Sequence, residues 1–320
     1  MLDLTVIGDV AIDTYYLLDE RDASVICSTR NRVCELCFEL NEKIPVREIE
    51  ITVGGNASNV AVATSRLGLE TGIVTTVGSD ADGKQILYKL EQEDVDLKQV
   101  ETTGKTNQTV AMIYEGKRTL LVHHEDRNYH ISSLKPTKWI YFTSLSTSGN
   151  KIVKPLLSVV QDYNVKLIFS PGTYQRREGP KAYSALLDLT DVIIMNKEEA
   201  EDYTGKNKVS YNELLKTLVD LGPTRAVITD GPNGSYGFDG VNFYKCSPCP
   251  AKVLENTGAG DAYSGGFTTA LIAGKTFEEA MKWGSANAAS VIEHIGPQKG
   301  LLSRAKIEQR SNKCKVTSAL

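Results

Sequence analysis

Asn256-Thr257-Gly258-Ala259-Gly260-Asp261-Ala262 follows a strand-like Lys252–Leu254 and opens an apolar run through Phe267, Ala270 and Leu271. Small residues at 258–260 let backbone N–H groups point outward at a helix start, where the dipole favours an anion. A carboxylate beside that anion hole works against a loop that only binds phosphate. It makes sense where Asp261 deprotonates an attacking hydroxyl while the loop N–H groups stabilise charge developing on a transferred phosphoryl group. Taken alone, the run also reads as a helix capped by an aspartate.

Other loops share the pattern. Gly54-Gly55-Asn56-Ala57-Ser58-Asn59 sits at another helix start, and Thr229-Asp230-Gly231-Pro232-Asn233-Gly234 follows a buried strand and ends in a hairpin. Each has a plain reading as a turn or a capped helix. Together they put glycine-rich loops at the ends of several strands, the edge where α/β sheets bind ligands. Strand-like runs at Leu4–Val10, Ile73–Val77, Trp139–Phe142, Val165–Phe169, Val192–Met195 and Ala226–Thr229 alternate with helical stretches. That alternation predicts an α/β fold with a mostly parallel central sheet covered by helices on both faces.

Two segments break the alternation. Residues 12–52 are largely polar, with Lys43–Thr52 alternating like a half-exposed strand, and around Val110–His123 two short runs flank a hairpin turn at Glu115-Gly116-Lys117. Both are expected in a small antiparallel β layer near the carboxyl edge of the sheet, where a lid would sit.

Competing readings fail on single residues. Gly78-Ser79-Asp80-Ala81-Asp82-Gly83-Lys84 fits G-x-x-x-x-G-K, but Gln85 stands where Ser or Thr must bind magnesium. A dinucleotide fingerprint starting at Gly258 meets Tyr263 at its third glycine. With 36 Lys+Arg against 40 Asp+Glu, the net charge of −4 gives no general attraction to nucleic acid. No run approaches the roughly 18 apolar residues of a membrane span, and the opening strand lacks the basic flank of a signal peptide. A cytoplasmic protein with neither nucleic-acid nor membrane partner is expected. Six cysteines include two C-x-x-C pairs, Cys34/Cys37 and Cys246/Cys249, read as reduced thiols beside loops; a four-thiolate zinc site or a redox switch is the alternative.

At this point the chain resembles the ribokinase-like (PfkB) carbohydrate kinase family. Gly54-Gly55-x-x-x-Asn59 followed by Ala61 resembles its first signature, and Asn256 to Asp261 its second. Gly8-Asp9-Val10-Ala11-Ile12-Asp13, Val77 to Gly83, Asn196-Lys197-Glu198-Glu199 and Thr229-Asp230-Gly231 resemble further family segments, all in family order. The resemblance implies one kinase domain over residues 1–310, with lid segments at about 12–52 and 104–130 and a C-terminal tail at 311–320. It implies ATP-dependent phosphorylation of an alcohol with Mg2+. Asp261 would be the general base and Gly258, Ala259 and Gly260 the anion hole. Asp13, Gly54, Gly55 and Asn59 would hold sugar hydroxyls. Asn196 and Glu199 would organise the magnesium–phosphate water network, Glu199 reaching the metal through water. Thr229, Gly231 and Gly234 would line the nucleotide, with Asn287 near the adenine, although a buried helical asparagine is the plain alternative there.

Glu255-Asn256 stands where the second signature usually begins Asp-Thr, which weighs against activation by a monovalent cation. Arg176 and Arg177 would suit a phosphorylated acceptor, but no basic cluster is tied by motif to the acceptor pocket. A free ribose- or fructose-like sugar is therefore expected, then a nucleoside, then a sugar phosphate. A non-catalytic sensor on the same fold would be expected to lose the base or the anion hole. The family resemblance also implies a homodimer through the lid.

Overall fold

The computed structural model describes residues 1–19, 21, 23–28, 33–115, 117–127, 129, 134–146 and 149–318. In chain order its strands are β1 (Leu2–Ile7), β2 (Ala11–Leu18), β3 (Ser24–Ser28), β4 (Val33–Cys37), β5 (Val46–Gly54), β6 (Thr71–Val77), β7 (Asp96–Thr102) and β8 (Asn107–Tyr114). They continue as β9 (Lys117–His123), β10 (Thr137–Phe142), β11 (Lys166–Phe169), β12 (Val192–Asn196), β13 (Arg225–Thr229), β14 (Ser235–Phe238), β15 (Phe243–Cys246) and β16 (Val316–Ser318). The helices are α1 (Asn56–Arg66), α2 (Ala81–Gln92), α3 (Val153–Asp162), α4 (Thr173–Glu178) and α5 (Ser184–Leu187). Then follow α6 (Lys197–Thr204), α7 (Tyr211–Asp220), α8 (Ala259–Ile272), α9 (Phe277–Val291) and α10 (Arg304–Ser311).

The large sheet runs β16-β15-β14-β13-β12-β11-β10-β1-β6-β7. Its members from β13 to β7 are parallel, while β14, β15 and β16 are antiparallel. Side chains alternate between two helical layers, as the period of a strand requires. Trp139 and Tyr141 of β10 enter the core with α1, α8 and α9, whereas Ile140 and Phe142 enter the core with α3, α6 and α7. Both faces are buried, so these strands read as continuous apolar runs.

The small sheet runs β5-β2-β8-β9. Its outer pairs are antiparallel, but β2 and β8 pair in parallel. Gly116, in the turn expected between β8 and β9, lies outside the described residues. β3 and β4 form a separate hairpin in which Cys27 faces and bonds Cys34.

Three expectations are corrected. The segment Lys252–Leu254 is irregular rather than a strand: Val253 and Leu254 stay exposed, and Leu254 N–H donates to Ile292 O. Residues 316–318, in the segment expected as a tail, pair with β15 as the sheet's edge. The C-x-x-C cysteines are not all reduced thiols as expected: Cys34 is bonded to Cys27, and neither C-x-x-C pairs internally. Cys249 is bonded to Cys314, so two disulfides leave Cys37 and Cys246 free, and no three His, Cys, Asp or Glu cluster for a metal among the described residues. Pairing follows which backbones the fold brings together, and spacing in sequence does not report that.

Candidate active site

The carboxyl ends of the parallel strands open under the small sheet. There Asp9 follows β1, Ser144 follows β10, Ser170 and Gly172 follow β11, Asn196 closes β12 and Thr229 closes β13. With the starts of α1 and α8 they wall a cleft of about 600 Å³, roofed by Ala111, Leu120 and Val122 of the lid strands. No described helix is long and apolar enough to cross a membrane.

Helix α8 is preceded by its cap residue Gly258, whose φ of 77° is left-handed and where a side chain would run into Pro297 at 2.5 Å. That conformation favours glycine. The next amide, Ala259 N–H, turns back onto Asn256 O at 3.3 Å. Those of Gly260 and Asp261 have no protein acceptor among the described residues, and a Cβ at Gly260 would meet open space. Unpaired donors at a helix start are the groups that receive an anion. Gly258 and Gly260 face the cleft; Ala259 does not.

Asp261, half-buried in the first turn, is gripped from α1. Asn56 Nδ2 donates to Oδ1 at 3.0 Å and Asn59 Nδ2 to Oδ2 at 2.8 Å. Burial raises its carboxyl to about 6; the two amides pull against that shift and the Glu199 charge adds to it. Asn59, expected to hold a sugar hydroxyl, donates Nδ2 to Asp261 and accepts from Gln298 Nε2 on its Oδ1 at 3.1 Å, so both ends of its amide are engaged within the protein.

Asp13 projects from β2 beside Thr109 of β8. Burial lifts its carboxyl to about 7, opposed by a hydrogen bond with Thr109 and aided by the charge of Asp261. Near neutrality it can donate or accept, which suits a polyol. Gly54 is opposite: any side chain there would overlap the Asp13 carboxylate. At Gly55, φ is 88° and a Cβ would lie 2.7 Å from the Val10 backbone, so α1 starts hard against the loop after β1.

On the far wall, Asn196 and Glu199 form a reciprocal cap at the start of α6, and Arg176 donates to Glu199 at 3.0 Å. Both line the cleft, as does Thr229, but Gly231 and Gly234 shape the turn after β13 and are not in the cleft wall. Asn287 is a correction. It is fully buried, donates to Ala262 O at 2.8 Å and accepts from Leu302 N at 3.0 Å, so it braces α8, α9 and the 298–302 loop rather than a nucleotide.

Several groups were not assigned from sequence. Asn56 belongs to the Gly54–Asn59 segment, where its amide, beside that of Asn59, is the local signal for it. Arg118 of the lid pairs with Glu255, a contact between distant segments that carries no local signature. In the sequence, His123, His124, Glu125, Arg127 and Tyr129 form a polar cluster after the hairpin that could touch a sugar or its phosphate but is expected as a solvated loop; the structure pairs His124 with Asp9 instead.

With this geometry in place, known proteins become informative. A family model described as pfkB family carbohydrate kinase matches residues 5–304. Curated relatives include an ATP-dependent 6-phosphofructokinase of Thermoanaerobacterium thermosaccharolyticum, 26% identical over 76% of this chain and 80% of its own. A 5-dehydro-2-deoxygluconokinase of Bacillus subtilis is 28% identical over 85% of this chain and 92% of its own. Among solved structures, Arabidopsis thaliana ribokinase complexed with ribose and ATP superposes with a TM-score of 0.78 at 20% identity, covering 97% of this chain and 98% of that one. Methanocaldococcus jannaschii nucleoside kinase superposes at 0.77 and 20% identity over 98% and 99%. Those structural likenesses establish a ribokinase-like fold, and the family match across nearly the whole chain establishes more: the protein belongs to the pfkB family of carbohydrate kinases and is a phosphotransferase acting on an alcohol group.

Proposed function

We propose that the protein transfers the γ-phosphoryl group of ATP to a hydroxyl of a free sugar, ribose- or fructose-like. The observation that carries this reading is Asp261, held by Asn56 and Asn59 beside the N–H groups of Gly260 and Asp261, which have no acceptor among the described residues. Asp261 takes the proton of the attacking hydroxyl, and the two amides accept the charge that gathers on the phosphoryl oxygens. A pKa near 6 leaves the carboxylate ionised at neutral pH and basic enough to accept a proton. Asp13 orients the acceptor's hydroxyls, its carboxylate fitting into the space that Gly54 leaves free.

The residues fit Mg-ATP. Unpaired helix-start amides and an open glycine cradle suit phosphate, and Glu199 offers a carboxylate to the same cleft. The metal neutralises phosphate charge when bound. Glu199 would hold it through water, because magnesium keeps several waters. The Arabidopsis ribokinase is complexed with ribose and ATP, and that supports the sugar reading. The nucleoside kinase is favoured as a second reading by the apolar roof of Leu120 and Val122, a surface suited to a base. The family placement also supports a location in the cytoplasm and a dimer through the lid, where Ile49, Ile51 and Leu121 are exposed.

The test is ADP release with magnesium-ATP against ribose, fructose, adenosine, guanosine, ketodeoxygluconate and fructose 6-phosphate. Turnover greatest on ribose or fructose supports the sugar reading. Turnover confined to adenosine or guanosine replaces it with the nucleoside reading, and turnover confined to fructose 6-phosphate contradicts both.

A further inference from the structure

We propose that His124 is a recognition residue for the acceptor: its Nε2 accepts a hydrogen bond from an acceptor hydroxyl other than the one Asp261 deprotonates. The proposal rests on the kinase reading of this cleft and deepens it.

His124 follows directly on β9, where the lid returns to the core. Its neighbour Glu125 donates its N–H to Asn107 Oδ1 at 3.0 Å, and Asn107 Nδ2 donates to Val10 O at 3.1 Å, so the lid's end is pinned to the loop after β1. The imidazole Nδ1 lies 3.2 Å from Asp9 Oδ2. Asp9 is 2% exposed, and its Oδ1 accepts the Tyr129 hydroxyl at 2.6 Å. A carboxylate can only accept, so the ring proton facing it sits on Nδ1, and in the neutral imidazole the lone pair is then left on Nε2. Tyr129 is itself buried and supplies the second donor that makes a buried carboxylate tolerable.

Nε2 has no protein partner among the described residues, and the ring lines the cleft, edge-on to Tyr174 with centroids 6.0 Å apart. The Tyr129–Asp9–His124 set is separate from the Asn56–Asn59–Asp261 set, and nothing in phosphoryl transfer uses it. A neutral acceptor has a particular value here. Asp13, Asp261 and Glu199 already bring carboxylates to the cleft, and another would repel the incoming phosphate. An imidazole nitrogen selects for a hydroxyl donor without that cost.

The experiment combines kinetics with 15N-histidine spectra of the wild type, His124→Ala and His124→Gln, on the acceptor with the highest turnover in the panel above. Loss of one hydrogen bond predicts that His124→Ala raises the acceptor KM about tenfold, with kcat and the ATP KM within about twofold. Glutamine can place an amide oxygen near the Nε2 position, and His124→Gln is expected to recover much of the loss. A merely structural anchor would move kcat, the ATP KM or melting instead, and an unchanged acceptor KM overturns the proposal. The spectra need no turnover: the resonance absent from His124→Gln must show the Nδ1-protonated tautomer, and an Nε2-protonated ring overturns the proposal whatever the activity. Failure of the kinase reading is a separate result, namely turnover by Asp261→Asn at the wild-type rate.

Discussion

Arg118, on the outermost lid strand, donates from Nη1 to Glu255 Oε1 at 2.8 Å, and that same oxygen receives the N–H of Thr257 at 2.6 Å. One carboxylate therefore ties the lid to the loop that enters α8. Glu255 is 6% exposed, so removing its partner leaves a buried charge held only from its own loop.

Arg118→Ala is expected to lower kcat about tenfold and to cost roughly 1 kcal/mol of stability, the modest figure reflecting a guanidinium one-third exposed. Stopped assays and urea unfolding measure the two. A variant with wild-type kcat would show that the lid and the anion-hole loop act independently.

Two carboxyls titrate in the working range. Asp261, near 6, must be ionised to act as the base, so kcat/KM should fall about tenfold per unit below that pH. The stability effect has the opposite sign. Both Asp261 and Asp13 have folded values above the ordinary 3.8, so their contribution is fully present below about pH 4 and is lost as pH rises through 6 to 7. Asp13→Asn should therefore gain up to about 4 kcal/mol over the wild type at pH 8 and nothing at pH 4, as read by denaturation at each pH. Equal stability at both values would contradict the burial described for Asp13.

Gly54→Ala pushes a methyl into the Asp13 carboxylate. Overpacking of this kind costs about 1–3 kcal/mol, and a displaced Asp13 should raise the acceptor KM well above that of ATP. Calorimetry and the two KM values check it; an unaffected acceptor KM would remove Asp13 from recognition.

Asn287→Ala should lose roughly 2–3 kcal/mol, because Ala262 O and Leu302 N–H lose their partner in a fully buried position. The ATP KM should stay near the wild type. A selective rise in that KM would restore a nucleotide role to Asn287.

What the sequence shows and what it hides divide along physical lines. β10 to β13 are legible because burial on both faces leaves unbroken apolar runs. Val253 and Leu254 mislead for the same reason: they are apolar, yet they remain exposed. Val316–Ser318 is a short edge whose outer residues stay in water, so no hydrophobic signal marks it. Around the cleft, Gly258, Gly260 and Asp261 are legible as a helix start because that is a local structure. Asn287 sits in an equally suggestive helix, but its role depends on Ala262 and Leu302, which only the folded chain brings near. His124 and Asp9 are 115 residues apart, and Cys249 and Cys314 are 65 apart; neither pairing leaves a trace in local spacing.

The central claim is that Asp261 removes the proton from the attacking hydroxyl. Steady-state turnover of Asp261→Asn, with ATP binding to the same variant measured by titration, tests it most directly. A loss of at least about a thousandfold in kcat with ATP affinity retained is the expected result. Wild-type turnover in that variant would contradict it.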